Sequence, residues 1–143
     1  MTERFVHHVR PRYAEIDLQG VVFNAHWLTF FDEASTRFFA AIRSLPAPVV
    51  FRDFDVMVVK AQLEWQGPAR FEDDVAIAVV PTRIGTSSFD LTYTATVDGR
   101  PACVGTITYV SVVPGSSEPT PVPDPIRSEL QGAQWTGGDP PAG

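Results

Sequence analysis

The apolar positions of this chain follow two rhythms. Between Trp27 and Leu45 they recur every three or four residues: Trp27, Phe31, Ala34, Phe38, Ala41, Ile42 and Leu45 form one stripe. Leu28, Phe30 and Phe39 widen it. That period predicts one long α-helix whose apolar face is too broad to rest on a surface, so other structure should wrap it. Asn24 is placed to cap the helix through its side chain. The run Ser44-Leu45-Pro46-Ala47-Pro48 ends it, because proline cannot continue a helix and restricts the residue before it.

Elsewhere the period is two, the mark of half-buried strands. Phe5, Val9 and Tyr13 spread through a first alternating segment. Phe54 to Trp65 reads as a second strand, interrupted after it by Gly67-Pro68, and Val75 to Pro81 as a third. From Ser88 to Val97, Phe89, Leu91, Tyr93, Ala95 and Val97 share one face. Asp98-Gly99 is a strong hairpin turn, and Pro101 to Val113 is the last strand, with Ala102, Val104, Thr106, Thr108 and Val110 on one side. The order is strand, long helix, four strands. Sequential hairpins favour antiparallel pairing, so the expected fold class is α+β, one long antiparallel sheet around one helix.

Composition narrows the picture. At 143 residues the chain is one domain with enough apolar content for a real core. The last thirty residues hold seven of the thirteen prolines and five of the ten glycines. The domain is therefore expected over 1–113, with 114–143 a partly disordered tail in which Ile126 to Leu130 form one helical turn. No apolar run approaches the ~18 residues of a membrane span, and the start does not resemble a signal peptide, so the expected location is cytoplasmic. The formal net charge of −6 argues against non-specific nucleic-acid binding. Ten of the eleven basic residues are arginine, which binds phosphate through a planar fork. The single Cys103 can form no internal disulfide and reads as a small buried residue.

The candidate chemistry sits where the two rhythms meet. Glu15 to Gly20 breaks the strand pattern just ahead of the helix and carries Asp17, with Gly20 easing a backbone turn. A helix N-terminus offers unpaired N–H groups and partial positive charge, which would polarise a carbonyl docked there. Asp17 could attack that carbonyl or activate a water; it could equally do no more than cap its own turn.

The stretch Tyr13, Asp17, Gly20-Val21-Val22-Phe23, Asn24 and Trp27 resembles the signature of hotdog-fold thioesterases, in the 4-hydroxybenzoyl-CoA thioesterase and YbgC-like branch. The resemblance extends to about Val113. It implies a sheet wrapped around a central helix, with Asp17 as nucleophile or general base and the Asn24 backbone N–H as part of an oxyanion hole. It implies that a tyrosine closes the first strand. Gly20, Val21, Val22, His26 and Trp27 would border the substrate, and the Asp55 backbone would stand at a second oxyanion-hole position. Arg83, Thr86, Ser87 and Ser88 would contact the nucleotide and pantetheine arm. The substrate would be an acyl-coenzyme A or acyl-carrier-protein thioester, with no cofactor or metal, and the assembly a homodimer or dimer of dimers sharing its sites. One departure is Ser35, where relatives often place an arginine after the acidic pair filled here by Asp32 and Glu33.

Other polar residues have plainer readings. His7 and His8 are adjacent on a strand and point to opposite faces, which does not make a metal site. His26 reads more simply as a polar first-turn residue than as a base, and Glu64 as the exposed side of a strand. Two rivals to hydrolysis remain: a dehydratase or hydratase on 3-hydroxyacyl thioesters, which would want a histidine–carboxylate pair, and a non-catalytic thioester-binding protein, which Asp17 argues against. Phe30, Phe31, Phe38, Phe39, Phe51, Phe54 and Trp65 either line a tunnel or fill a core.

Overall fold

The computed structural model describes residues 4–134. Five strands form one antiparallel sheet: β1 (Phe5–Val9), β2 (Asp55–Trp65), β3 (Val75–Ile84), β4 (Ser88–Val97) and β5 (Arg100–Val112). Their order across the sheet is β1-β3-β4-β5-β2. The long helix α1 (His26–Arg43) packs on the sheet's inner face, and a shorter helix α2 (Asp124–Gly132) closes the side beside β3. This is the layout the two hydrophobic rhythms predict.

The expected β4 face is the one that turns inward. Phe89, Leu91, Tyr93 and Ala95 are fully buried, and Phe31 of α1 stacks on Tyr93 with ring centroids 4.8 Å apart. On β5 the core side is Cys103, Ile107 and Tyr109; the alternating set from Val104 to Val110 faces outward. Of the aromatic set left open by the sequence, Phe30, Phe31, Phe38, Phe39 and Phe54 are core and Phe51 packs against it. Burying each contributes on the order of 1.5–3 kcal/mol. Trp65 stays 57 % exposed.

The strand limits hold to within a residue for β2, β4 and β5, while β3 continues past Pro81 to Ile84. At Asp98-Gly99 both φ angles are positive, 50° and 77°, as a tight hairpin with native twist requires. α1 ends on Ser44 in the left-handed region at φ 52°, and the Leu45 N–H returns to the Ala40 carbonyl at 3.0 Å.

Four expectations need correction. The helix cap is Ala25, one residue later than Asn24, and no side chain caps it, because a turn from Phe23 to His26 brings the chain into α1 through backbone bonds. Tyr13 does not close the first strand. It opens a one-turn 3₁₀ helix, Tyr13–Glu15, and stacks in the open on Phe71 at 4.4 Å. Leu28 and Ala41, read as part of the apolar stripe, are exposed. Finally, three residues beyond Val113 lie in the same core: Val122, Ile126 and Leu130 are at most 3 % exposed. Their spacing of four is a helix-and-approach pattern that the surrounding prolines and glycines conceal. The segment is tied down by Val122 N–H to the Thr86 carbonyl at 2.9 Å and by Arg127, which donates to the carbonyls of Gly85 and Thr86. Residues 135–143, also expected to be disordered, lie outside the described residues. No helix among the described residues is long and apolar enough to cross a membrane.

Candidate active site

The loop between β1 and α1 is built around two carboxylates with different work. Glu15 is buried, and Arg12 reaches across to it: Nη2 donates to Oε2 at 2.7 Å, Nε to Oε1 at 3.2 Å, and the Arg12 N–H to Oε1 at 2.8 Å. Those side-chain bonds from Arg12 hold the Glu15 carboxyl below its ordinary range, against the opposing pull of burial. The Glu15 carbonyl then accepts the Phe23 N–H at 2.8 Å. The loop is thereby closed at its base.

Asp17 stands at its tip, half-buried. Its N–H donates to the Val21 carbonyl at 2.9 Å and its carbonyl accepts the Gly20 N–H at 3.0 Å. The side-chain Oδ1 accepts the Gln19 N–H at 2.9 Å. Gly20 has φ +80°, a region an L side chain resists, and this reverses the chain so that Ile16 and Val22 bridge. The plain turn role of Asp17 is thus real, but it occupies one oxygen. Oδ2 accepts no hydrogen bond among the described residues.

Asp17 lines a cleft of about 450 Å³. One wall is the loop and helix start, with Gln19, Val21, Val22, Asn24 and Trp27; the other is the chain leaving β2, Trp65 to Ala69. Val22 N–H donates to the Ala69 carbonyl at 2.8 Å and joins the two walls. The N–H groups of Asn24 and Ala25 have no acceptor among the described residues, while those of His26, Trp27 and Leu28 turn back to Phe23, Asn24 and Ala25. Asp17, with one carboxylate oxygen open, and Asn24, with its N–H unpaired among the described residues, therefore line one opening.

The other sequence candidates divide. Trp27 is 2 % exposed and forms the cleft floor against Phe30 and Phe31. His26 is half-buried with its ring edge-on to Phe23 at 5.8 Å and does not line the cleft. Asp55 opens β2 while Trp65 closes it, so roughly 33 Å of extended strand separate Asp55 from the cleft. Its Oδ1 accepts the Val56 N–H at 2.9 Å. Arg83, Ser87 and Ser88 lie at the Asp55 end as well, since Ser88 pairs with Val110 and Asp55 with Val112. Arg83 is not free: it donates to both oxygens of Asp90, at 3.1 and 3.2 Å, and to the Ser88 hydroxyl at 2.9 Å. Glu64 is exposed on β2, and Cys103 is buried, its thiol pushed up to about 12 by burial, which leaves it inert. Gln66 to Ala69 were not anticipated as lining residues. The Gly67-Pro68 break was the available signal, read only as an interruption.

The fold is that of the hotdog thioesterases. The chain is similar to a thioesterase-superfamily protein from Jannaschia sp. CCS1, at 22% identity and a TM-score of 0.86, over 95% of this chain and 99% of that one. It is also similar to a thioesterase from Thermus thermophilus whose structure holds coenzyme A and Zn, at 25% identity and a TM-score of 0.78 over 90% and 92%. A third likeness is to a gentisyl-coenzyme A thioesterase, at 23% identity and a TM-score of 0.79 over 88% and 99%. No curated protein sequence matches. The model of the thioesterase-like superfamily matches residues 11–130, and the chain belongs to that family.

Proposed function

We propose that this protein hydrolyses the thioester bond of an acyl-coenzyme A or acyl-carrier-protein substrate. The single observation that carries the reading is that Asp17, with one open carboxylate oxygen, and Asn24, whose N–H has no acceptor among the described residues, line one cleft. The acyl carbonyl docks against the start of α1, where free N–H groups and the helix dipole stabilise negative charge as it develops on oxygen. Asp17 then acts in one of two ways. As nucleophile it forms an acyl anhydride and expels the thiolate, and water cleaves the anhydride. As general base it takes a proton from water as the hydroxyl adds to the carbonyl carbon, then gives it to the departing sulfur. Sulfur is already a good leaving group, so neither route calls for a metal.

The functional unit we propose is a homodimer paired through β2. This strand is an edge of the sheet, eleven residues long, and exposes Met57, Val58 and Val59 at 45–58 %. An apolar edge of that length is an unsatisfied pairing surface. Antiparallel two-fold pairing of β2 with β2 sets the Asp55 end of one copy against the Trp65 end of the other. It would supply the Asp55, Arg83, Ser87 and Ser88 region that a single chain keeps ~33 Å away along the strand.

The test is thiol release from a panel of short, long and aromatic acyl-CoAs, beside Asp17→Asn. The wild type is expected to turn over part of the panel, and the variant to lose about a hundredfold or more, about 2.7 kcal/mol of barrier. No turnover by the wild type, or full activity in Asp17→Asn, overturns the proposal.

A further inference from the structure

We infer that Arg100, which packs against the Gly67 wall of the Asp17 cleft without itself lining it, binds a phosphate of the substrate's carrier arm; this rests on the thioesterase reading above. Arg100 begins β5, directly after the Asp98-Gly99 hairpin, and is exposed. Its Nη1 stands 2.9 Å from where a Cβ on Gly67 would be, and Gly67 lines the cleft opposite Asp17. Glycine at 67 is what lets the guanidinium approach this wall, because any side chain would meet both Arg100 and the Pro101 carbonyl, also at 2.9 Å. The wall is held in place by the Gln66 and Gly67 N–H groups, which both donate to the Ala102 carbonyl.

The charge of Arg100 is uncompensated. Arg12, Arg43 and Arg83 each have a carboxylate partner, in Glu15, Asp53 and Asp90. Arg127 is spent on backbone carbonyls. Among the described residues the Arg100 side chain has neither an ion pair nor a hydrogen bond. The chain carries a net charge of −6, so its overall field repels a phosphorylated ligand and a local cation must overcome that. Arg83, the arginine to which the family resemblance points, is already neutralised by both oxygens of Asp90. Arg100 offers an unoccupied planar fork, which matches phosphate oxygens two at a time.

Two carriers present such a phosphate: coenzyme A, with a diphosphate and a 3′-phosphate, and an acyl-carrier protein, with one phosphodiester at the end of the pantetheine. Steady-state kinetics of wild type and Arg100→Ala on one acyl group carried by coenzyme A, by phosphopantetheine and by pantetheine separate the cases. Arg100→Ala is expected to raise KM for the coenzyme A thioester by about tenfold, the loss of one charge-assisted contact. KM for the pantetheine thioester and kcat for both stay unchanged. An equal rise with phosphopantetheine places the contact on the phosphate common to both carriers; a rise with coenzyme A alone places it on the nucleotide. Equal KM changes with and without phosphate, or none, overturn the assignment. Calorimetry of coenzyme A itself, expected to bind Arg100→Ala about tenfold more weakly, decides the point independently of turnover. Failure of hydrolysis is thereby kept distinct from failure of phosphate binding.

Discussion

The Val22 N–H donates to the Ala69 carbonyl at 2.8 Å, and this one backbone bond sets the Asp17 loop against the chain leaving β2. Neither segment is a cleft alone. The loop brings a carboxylate and the start of α1; the departing chain brings Trp65 to Ala69, and the Arg100 guanidinium of β5 packs against its Gly67.

Gly20→Ala should cost roughly 1–2 kcal/mol of stability, the penalty for an L residue in the left-handed region. The cost is pure backbone strain, because nothing lies within 4 Å of the added Cβ at φ +80°. Urea denaturation measures it. Gly20→Asn should recover part of the loss, since asparagine tolerates that region better than alanine. Equal stabilities for wild type and Gly20→Ala would mean the turn has another conformation in solution.

Acid should act on the loop through Glu15. Its folded-state pKa is lowered chiefly by the hydrogen bonds from Arg12, relative to an ordinary 4.5. Between the two values the unfolded chain binds the proton and the folded chain does not. The stabilisation is therefore complete above pH 4.5 and lost as pH falls through the lowered folded value. The Glu15→Gln variant should be less stable at neutral pH and should show a shallower decline of unfolding free energy below pH 4.5. A decline as steep as that of wild type would assign the acid sensitivity elsewhere.

Under α1, the hydroxyls of Tyr93 and Tyr109 are hydrogen-bonded to each other inside the core. Burial pushes Tyr93 well above its ordinary range and Tyr109 up to about 12, so both are neutral at physiological pH. Tyr93→Phe removes one partner and leaves the Tyr109 hydroxyl to Ser35, a loss of about 0.5–1.5 kcal/mol, the net contribution of one hydrogen bond. The double Phe variant should lose less than the sum of the two single changes. Denaturant titration of all four proteins closes the cycle; strict additivity would show that the pair contributes no coupling.

Val58→Asp tests the proposed β2 pairing. A carboxylate at position 58 would put an unpaired charge into the apolar edge that the pairing buries. Light scattering should find a wild-type dimer and a folded monomeric variant with greatly reduced thiol release. A dimeric Val58→Asp would remove β2 from the interface.

Much of this could be read along the chain because it depends on local periodicity. The α1 stripe from Trp27 to Ile42, the inward set from Phe89 to Val97 and the Asp98-Gly99 hairpin each follow from spacing within one element. So does the presence of Asp17 in a glycine turn before the helix. The helix entry was misplaced by one residue because asparagine suggests a side-chain cap, whereas backbone bonds from Phe23 to Leu28 meet the need. Val122, Ile126 and Leu130 were obscured for the opposite reason: composition outweighed a correct but sparse spacing.

What only the tertiary structure decided was which distant segments meet. Arg83 carries the same charge in sequence as Arg100, yet strand pairing gives Arg83 the Asp90 carboxylate and leaves Arg100 unpaired against Gly67. Asp55 and Trp65 belong to one strand, yet extended backbone keeps them at opposite ends of the sheet. Ala69 is an ordinary alanine until its carbonyl meets Val22. Local spacing determines which element forms and which face it buries. Sheet order and register, which depend on contacts far apart in the chain, determine what stands beside Asp17.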